Sequence, residues 1–147
     1  MALVVWTARI STRDPDALNV TRKSGSAIFA PSWRIVAPAL ERRQAGREAT
    51  DEEWKEYAQA YFLEMQASRR KNVEVWKALL ARERVVLTCY CTNPARCHRT
   101  LLGRFLTKLG ATFEGELAEQ AKRDRTQEEL FKIAMDLGDP STDPKVP

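Results

Sequence analysis

The hydrophobic and polar positions of this chain switch repeatedly between a short β-type run and a helical spacing. LVVW at residues 3–6 is a compact, β-branched run, the pattern of a buried strand. The chain leaves it over residues 7–11, and Asp14, Pro15 and Asp16 mark a turn. ALNVTR, residues 17–22, reads as a second short strand, followed by a flexible Lys23-Ser24-Gly25-Ser26. Phe29-Ala30-Pro31-Ser32 reads as a loop that ends at a helix N-cap, with Ser32 as the capping residue. Pro38 interrupts the helix that follows, so a short or kinked one is expected.

Thr50 and Glu53 have the spacing of a capping box, in which each side chain satisfies the other's backbone donor. Trp54, Tyr57, Ala58, Tyr61, Phe62 and Met65 follow at intervals of three and four, an amphipathic helix whose aromatics belong to the core. Val75, Trp76, Leu79 and Leu80 continue as a further helical stripe. Residues 85–87 form a strand buried on both faces, and from Leu101 to Leu109 the spacing becomes helical again, with Gly110 where a C-terminal glycine belongs. A second capping box, Thr126 and Glu129, opens a late helix through Leu130, Ile133, Ala134 and Leu137. The expected architecture is a single α/β domain over residues 1–137, with a mostly parallel sheet flanked by helices in three layers. Residues 138–147 read as a disordered, proline-rich polar tail.

Composition narrows the class. The 147 residues are 44% hydrophobic and 30% charged, ordinary for a globular domain with its own core. No apolar run reaches the roughly 18 residues of a membrane span, and the N-terminus lacks the features of a signal peptide, so the expected setting is cytoplasmic. Three cysteines make a disulfide framework unexpected there. A net charge of +4 favours anionic partners. Acids and bases alternate, as over residues 47–56, and no aromatic stripe is interleaved with basic residues. Nucleic acid is therefore not the favoured partner.

All of the cysteine and histidine chemistry falls in VVLTCYCTNPARCHRTLLGRFL, residues 85–106. Read as strand, loop and helix, this segment puts Cys97, His98 and Arg99 at the first turn of a helix. There, unpaired amides and the dipole attract anions and favour thiolate. The candidate catalytic residues are Cys97, His98 and Cys89, with Arg99 as the fork for a phosphate or carboxylate. Arg9 and Arg22 reach the same pocket if their strands adjoin this one. A zinc site from C-x-C-x5-C-H is an alternative, although adjacent Cys97 and His98 are unusual ligand spacing. A second compares residues 91–96 with the C-x4-R loop of rhodanese-like sulfurtransferases, with Pro94 removing one amide. A third makes Cys89 a packing thiol and His98 an ordinary helix residue.

The motif L-T-C-Y-C-T-N-P-A-R-C-H-R-T-L-L, with Leu109 to Ala111 and Gly115-Glu116, resembles the domain-of-unknown-function 488 family. Thr7-Ala8-Arg9-Ile10, Asp16-Ala17-Leu18, Thr21-Arg22 and Phe29-Ala30-Pro31-Ser32 extend the resemblance over about residues 3–116. It implies an α/β fold and a pocket containing Cys89, Cys97, His98 and Arg99, joined by Arg9, Arg22 and Pro31, but no established reaction. Cys91 departs from the family's pattern, which counts against the zinc and sulfurtransferase readings. The expected function is an enzyme acting on an anionic, phosphate-bearing substrate, a nucleotide among the candidates, with no cofactor. The alternatives are a non-catalytic nucleotide or nucleic-acid module, or an interaction role through the late helix. Oligomeric state is not legible.

Overall fold

The computed structural model describes residues 2–138. Its sheet has four strands, β1 (Val4–Arg9), β2 (Ala17–Asn19), β3 (Arg84–Cys89) and β4 (Thr112–Glu116), in the order β2-β3-β1-β4. Every pair is parallel, so each connection must cross over the sheet rather than turn back as a hairpin. This is the α/β fold expected from the alternation of patterns. β1 outruns its apolar run by three residues, because as an inner strand it is paired by both β3 and β4.

β3 lies between β2 and β1, in the register Arg9↔Cys89 and Asn19↔Thr88. The carboxyl ends of three strands therefore meet around Cys89. The core gathers on one face of the sheet, where Val5, Val85 and Leu87 pack with Leu102 and Leu106 of α4 (His98–Lys108). α2 (Asp51–Lys71) adds Tyr61 and Met65 to this core, and α3 (Val73–Leu80) adds Trp76. Tyr61 donates to the Phe29 carbonyl at 2.7 Å and Ser68 to that of Ile28 at 2.6 Å, so α2 straps down the loop before the first helix.

That first helix, α1 (Trp33–Gln44), runs through Pro38 without the expected interruption. Proline removes one amide donor, and here it does so in the second turn, where the turns on either side keep their own bonds. Ser32 occupies the N-cap position, but its hydroxyl makes no capping bond. The Thr50–Glu53 capping box forms as expected, with bonds of 3.1 and 3.0 Å. Gly110, just past α4, has a φ of +105°.

β4 was not legible, since TFEGE carries no apolar alternation. It contains a bulge: Val5 pairs with Phe113 and Trp6 with Gly115, leaving Glu114 unopposed. Gly115 has a φ of +104°, which only glycine adopts without strain. The extra residue reverses the strand's facing. It places Glu116 opposite Thr7, on the α4 side, where unbroken pairing would have put it opposite Ala8.

The sheet and α1–α4 form one compact unit, residues 1–116, and α5 (Leu117–Gly138) belongs to a second. α5 begins nine residues before Thr126, so Thr126 does not cap it; its hydroxyl donates back to the Lys122 carbonyl at 3.0 Å. The tail expected from residue 138 lies, apart from Gly138, outside the described residues. No helix among the described residues is long and apolar enough to cross a membrane.

Glu53 also pairs with Arg47 at 2.8 Å and Arg42 at 3.4 Å. The Arg47 bond, then the Thr50 amide, hold its carboxyl down at about 2 against an ordinary 4.5. A depressed folded-state value stabilises above the unfolded value and is lost as pH falls through the folded one. Glu53→Gln, which mimics the protonated side chain, is expected to melt below the parent at neutral pH. The two melting temperatures should converge between about pH 4.5 and 2 in a pH series by circular dichroism.

Candidate functional site

β3 ends at Cys89, and the chain then doubles back through Cys91 and a 3-10 turn, Pro94–Arg96, to Cys97 at the N-cap position of α4. The turn is held locally. Asn93 Oδ1 accepts from the Ala95 amide at 3.0 Å, Thr100 Oγ1 donates to the Pro94 carbonyl at 2.6 Å, and Arg96 bonds the Ala49 carbonyl at 2.7 Å. The result brings the sulfurs of Cys89, Cys91 and Cys97 within 4.8 Å of one another, all as free cysteines. Cys89 and Cys97 are 4% and 1% exposed, and Cys91 is the half-buried thiol of the three.

The cluster carries unequal charge. The Cys89 thiol donates to Cys91 Sγ at 3.8 Å and Arg43 Nη2 donates to the same sulfur at 3.1 Å. Hydrogen bonds from Cys89 and Cys97, reinforced by Arg43, hold the Cys91 thiol far below its ordinary value. Cys89 is raised by its bond to Cys91, and Cys97 by burial. Of the three thiols, Cys91 is the one whose ionised form these contacts favour. Cys97 does sit at a helix N-terminus, as expected, but burial and the neighbouring sulfurs push its thiol up.

His98 is buried, and burial lowers its basicity. Its Nε2 lies 2.7 Å from the Val20 carbonyl, which can only accept, so Nε2 carries the proton and the unprotonated Nδ1 lies 3.9 Å from Cys89 Sγ. The imidazole holds the loop after β2 against α4 and lies beside Cys89.

Arg99 has no exposure, and its donors are spent inside the protein. Nε and Nη2 bond the Glu116 carboxylate, each at 3.3 Å, and Nη1 bonds the Cys91 carbonyl at 2.9 Å and Cys97 Sγ at 3.4 Å. Thr7 Oγ1 adds a bond to the same carboxylate at 2.8 Å. Arg99 therefore does not present the anion fork expected of it; it anchors the cysteine loop.

Two hollows meet at Cys91. The first, about 290 Å³, is lined by Arg22, Lys23, Arg43, Trp33, Tyr57 and Tyr90 among others, and no carboxylate lines it. Burial raises the Tyr57 phenol, so it stays a neutral donor. Arg22 is aimed by a 2.8 Å bond from Nε to the Pro31 carbonyl. The second hollow, about 330 Å³, has Arg42, Arg47, Arg96, Glu48 and Cys97 in its wall. β1 and β2 do flank β3, as the shared-pocket idea required, but only Arg22 lines a hollow; Arg9 is exposed to solvent outside both.

A family model described as "DUF488-N3a: Active DUF488-N3 subclade" matches residues 5–110. The chain belongs to the DUF488 family. No curated protein and no solved structure matches it. The match ends before Glu116, the residue that neutralises Arg99 in this DUF488 protein.

Sequence reasoning missed Arg43 and set Cys91 aside. The signal for Arg43 was present: Trp33, Val36, Leu40 and Arg43 recur at helical spacing and line the first hollow as one face of α1. Expecting a break at Pro38 hid that face. Cys91 lay in plain view, but its weight comes from contacts made across the fold.

Two outcomes follow from this geometry. Glu116→Ala leaves a buried guanidinium without its counter-ion and is expected to cost about 3–5 kcal/mol in denaturant unfolding. The double variant Arg99→Met, Glu116→Leu should recover much of that loss. In reduced, chelator-treated protein, iodoacetamide followed by peptide mapping should label Cys91 before Cys89 and Cys97, and Arg43→Gln should slow that labelling at slightly acidic pH.

Proposed function

We propose that this DUF488 protein is an enzyme acting on an anionic, phosphate-bearing substrate, with Cys91 Sγ as its nucleophile. One observation carries the reading. The accessible thiol of the cluster has a guanidinium 3.1 Å away and borders a hollow lined by three cations and no carboxylate. A cationic, partly enclosed thiol is the environment that makes thiolate available near neutral pH. Arg22 and Lys23 are the anion-binding residues in this reading, and Arg43 serves both the sulfur and the substrate's charge. Trp33, Tyr57 and Tyr90 supply aromatic surface, which favours a nucleotide among phosphate-bearing ligands. The neutral Tyr57 hydroxyl is a further hydrogen-bond donor in the wall. The family description as an active subclade accords with a catalytic role. Three free thiols suit a reducing, cytoplasmic setting.

The test is ligand binding measured by isothermal titration calorimetry, using inorganic phosphate, AMP and ADP as probes. Binding should be tighter for a nucleotide than for phosphate. Lys23→Ala should weaken it roughly tenfold or more, the scale of one lost charge-assisted bond. Cys91→Ser should leave binding within a few fold and abolish turnover of any substrate then identified. No binding of any of the three probes, or binding indifferent to Lys23→Ala, refutes the assignment of this hollow. A steep fall of affinity with salt for oligonucleotides alone would transfer the site to nucleic acid.

A further inference from the structure

Three sulfurs within 4.8 Å, drawn from a strand end, a loop and a helix N-cap, are a ligand set as well as a reaction centre. We propose that Cys89, Cys91 and Cys97 form a three-thiolate site for a single thiophilic d10 cation of the zinc and cadmium class.

The spacing fits. Zinc–sulfur bonds of about 2.3 Å place neighbouring sulfurs roughly 3.8–4.0 Å apart around the ion. The Cys89 and Cys91 sulfurs already stand 3.8 Å apart, and the third sulfur needs to move by no more than about 1 Å. Three thiolates select soft or borderline cations over magnesium or calcium, which take oxygen.

The surroundings fit as well. Two of the sulfurs have a cationic donor outside the set: Arg43 Nη2 at 3.1 Å from Cys91 and Arg99 Nη1 at 3.4 Å from Cys97. Such outer partners orient ligands and tune the ion. Binding displaces the protons of Cys89 and Cys97 to solvent, and three thiolates around a dication leave one negative charge. Arg43 offsets it, since the charge of Arg99 is already met by Glu116. His98 is not part of the set: its Nε2 is tied to the Val20 carbonyl, and its Nδ1 lies within reach of Cys89 alone among the three sulfurs.

The fourth position is open. Cys89 and Cys91 border the first hollow, and Cys91 and Cys97 the second, so an ion at their centre is reachable from solvent and keeps a place for water or an added ligand. In the loaded form the Cys91 sulfur is committed to the metal, and metal-free and loaded protein are two states of the same pocket. That consequence rests on the Cys91 reading above, whereas the site itself does not.

The test uses the full chain, reduced, stripped with a chelator and desalted, and titrated with Cd²⁺ while the sulfur-to-cadmium charge-transfer absorption is followed. One equivalent per chain is expected, displaced by Zn²⁺ in competition. Arg43→Gln, an outer-shell change, should weaken Cd²⁺ by roughly 10- to 100-fold at unchanged stoichiometry. Cys91→Ser, at a half-buried position that circular dichroism can verify as folded, should cost more than that and diminish the band. Cys89→Ser should do the same if it folds, and Cys91→Ser decides the matter if it does not. No charge-transfer band, or a band of equal affinity in Cys91→Ser, overturns the site. Nucleotide binding is measured separately on metal-free protein, so the loss of either result leaves the other standing.

Discussion

A guanidinium with no access to water has to be neutralised within the protein, and in this chain Glu116 does it. The Arg99–Glu116 pair joins the first turn of α4 to the end of β4, and Thr7 ties the same carboxylate to β1. The remaining donor of Arg99 holds the Cys91 carbonyl and the Cys97 sulfur, so the pair also sets the shape of the cysteine loop. Desolvating two charges costs several kcal/mol each, and the geometry repays this only when the lone pairs and protons find partners, as they do here. The bulge at Gly115 is part of the same device, because it turns Glu116 to the face where Arg99 lies.

From this anchor the site is assembled by elements far apart in sequence. The loop after β2 brings Arg22 and Lys23, α1 brings Arg43 and Trp33, α2 brings Tyr57, and the β3–α4 turn brings the sulfurs. The loop after β2 is itself tightly bonded. Asn19 Oδ1 accepts from the Thr21 amide and hydroxyl, and the backbone of Gly25 runs so close to Asn19 that a Cβ there would stand 2.3 Å from its carbonyl oxygen. Tyr90 Oη is 2.9 Å from Ser24 Oγ, which links this loop to the cysteine turn. The electrostatics are collective: bonds among the three thiols, reinforced by Arg43, push Cys91 down and Cys89 up, and burial pushes Cys97 up.

Much of the fold was legible. Short apolar, β-branched runs located strands and spacings of three to four residues located most of the helices, because burial imposes a pattern whatever the partner is. The Thr50–Glu53 box was legible because its chemistry is complete within four residues. What escaped depended on context. Pro38 looks disruptive in isolation and is tolerated within a helix, Thr126 looks like a cap and lies inside α5, and TFEGE pairs as a strand because β1 offers it a free edge.

The sequence alone determined that the thiols, the imidazole and a guanidinium share one strand–turn–helix, since that follows from their spacing along the chain. It determined equally that this segment sits at the carboxyl end of a parallel sheet. Which of these groups meets solvent was decided only by the tertiary structure. Exposure and charge depend on what arrives from elsewhere: Glu116 turns Arg99 into an internal tie, burial pushes the Cys97 thiol up, and the bonds from Cys89 and Cys97, reinforced by Arg43 from a helix nearly fifty residues away, favour the ionised form of Cys91.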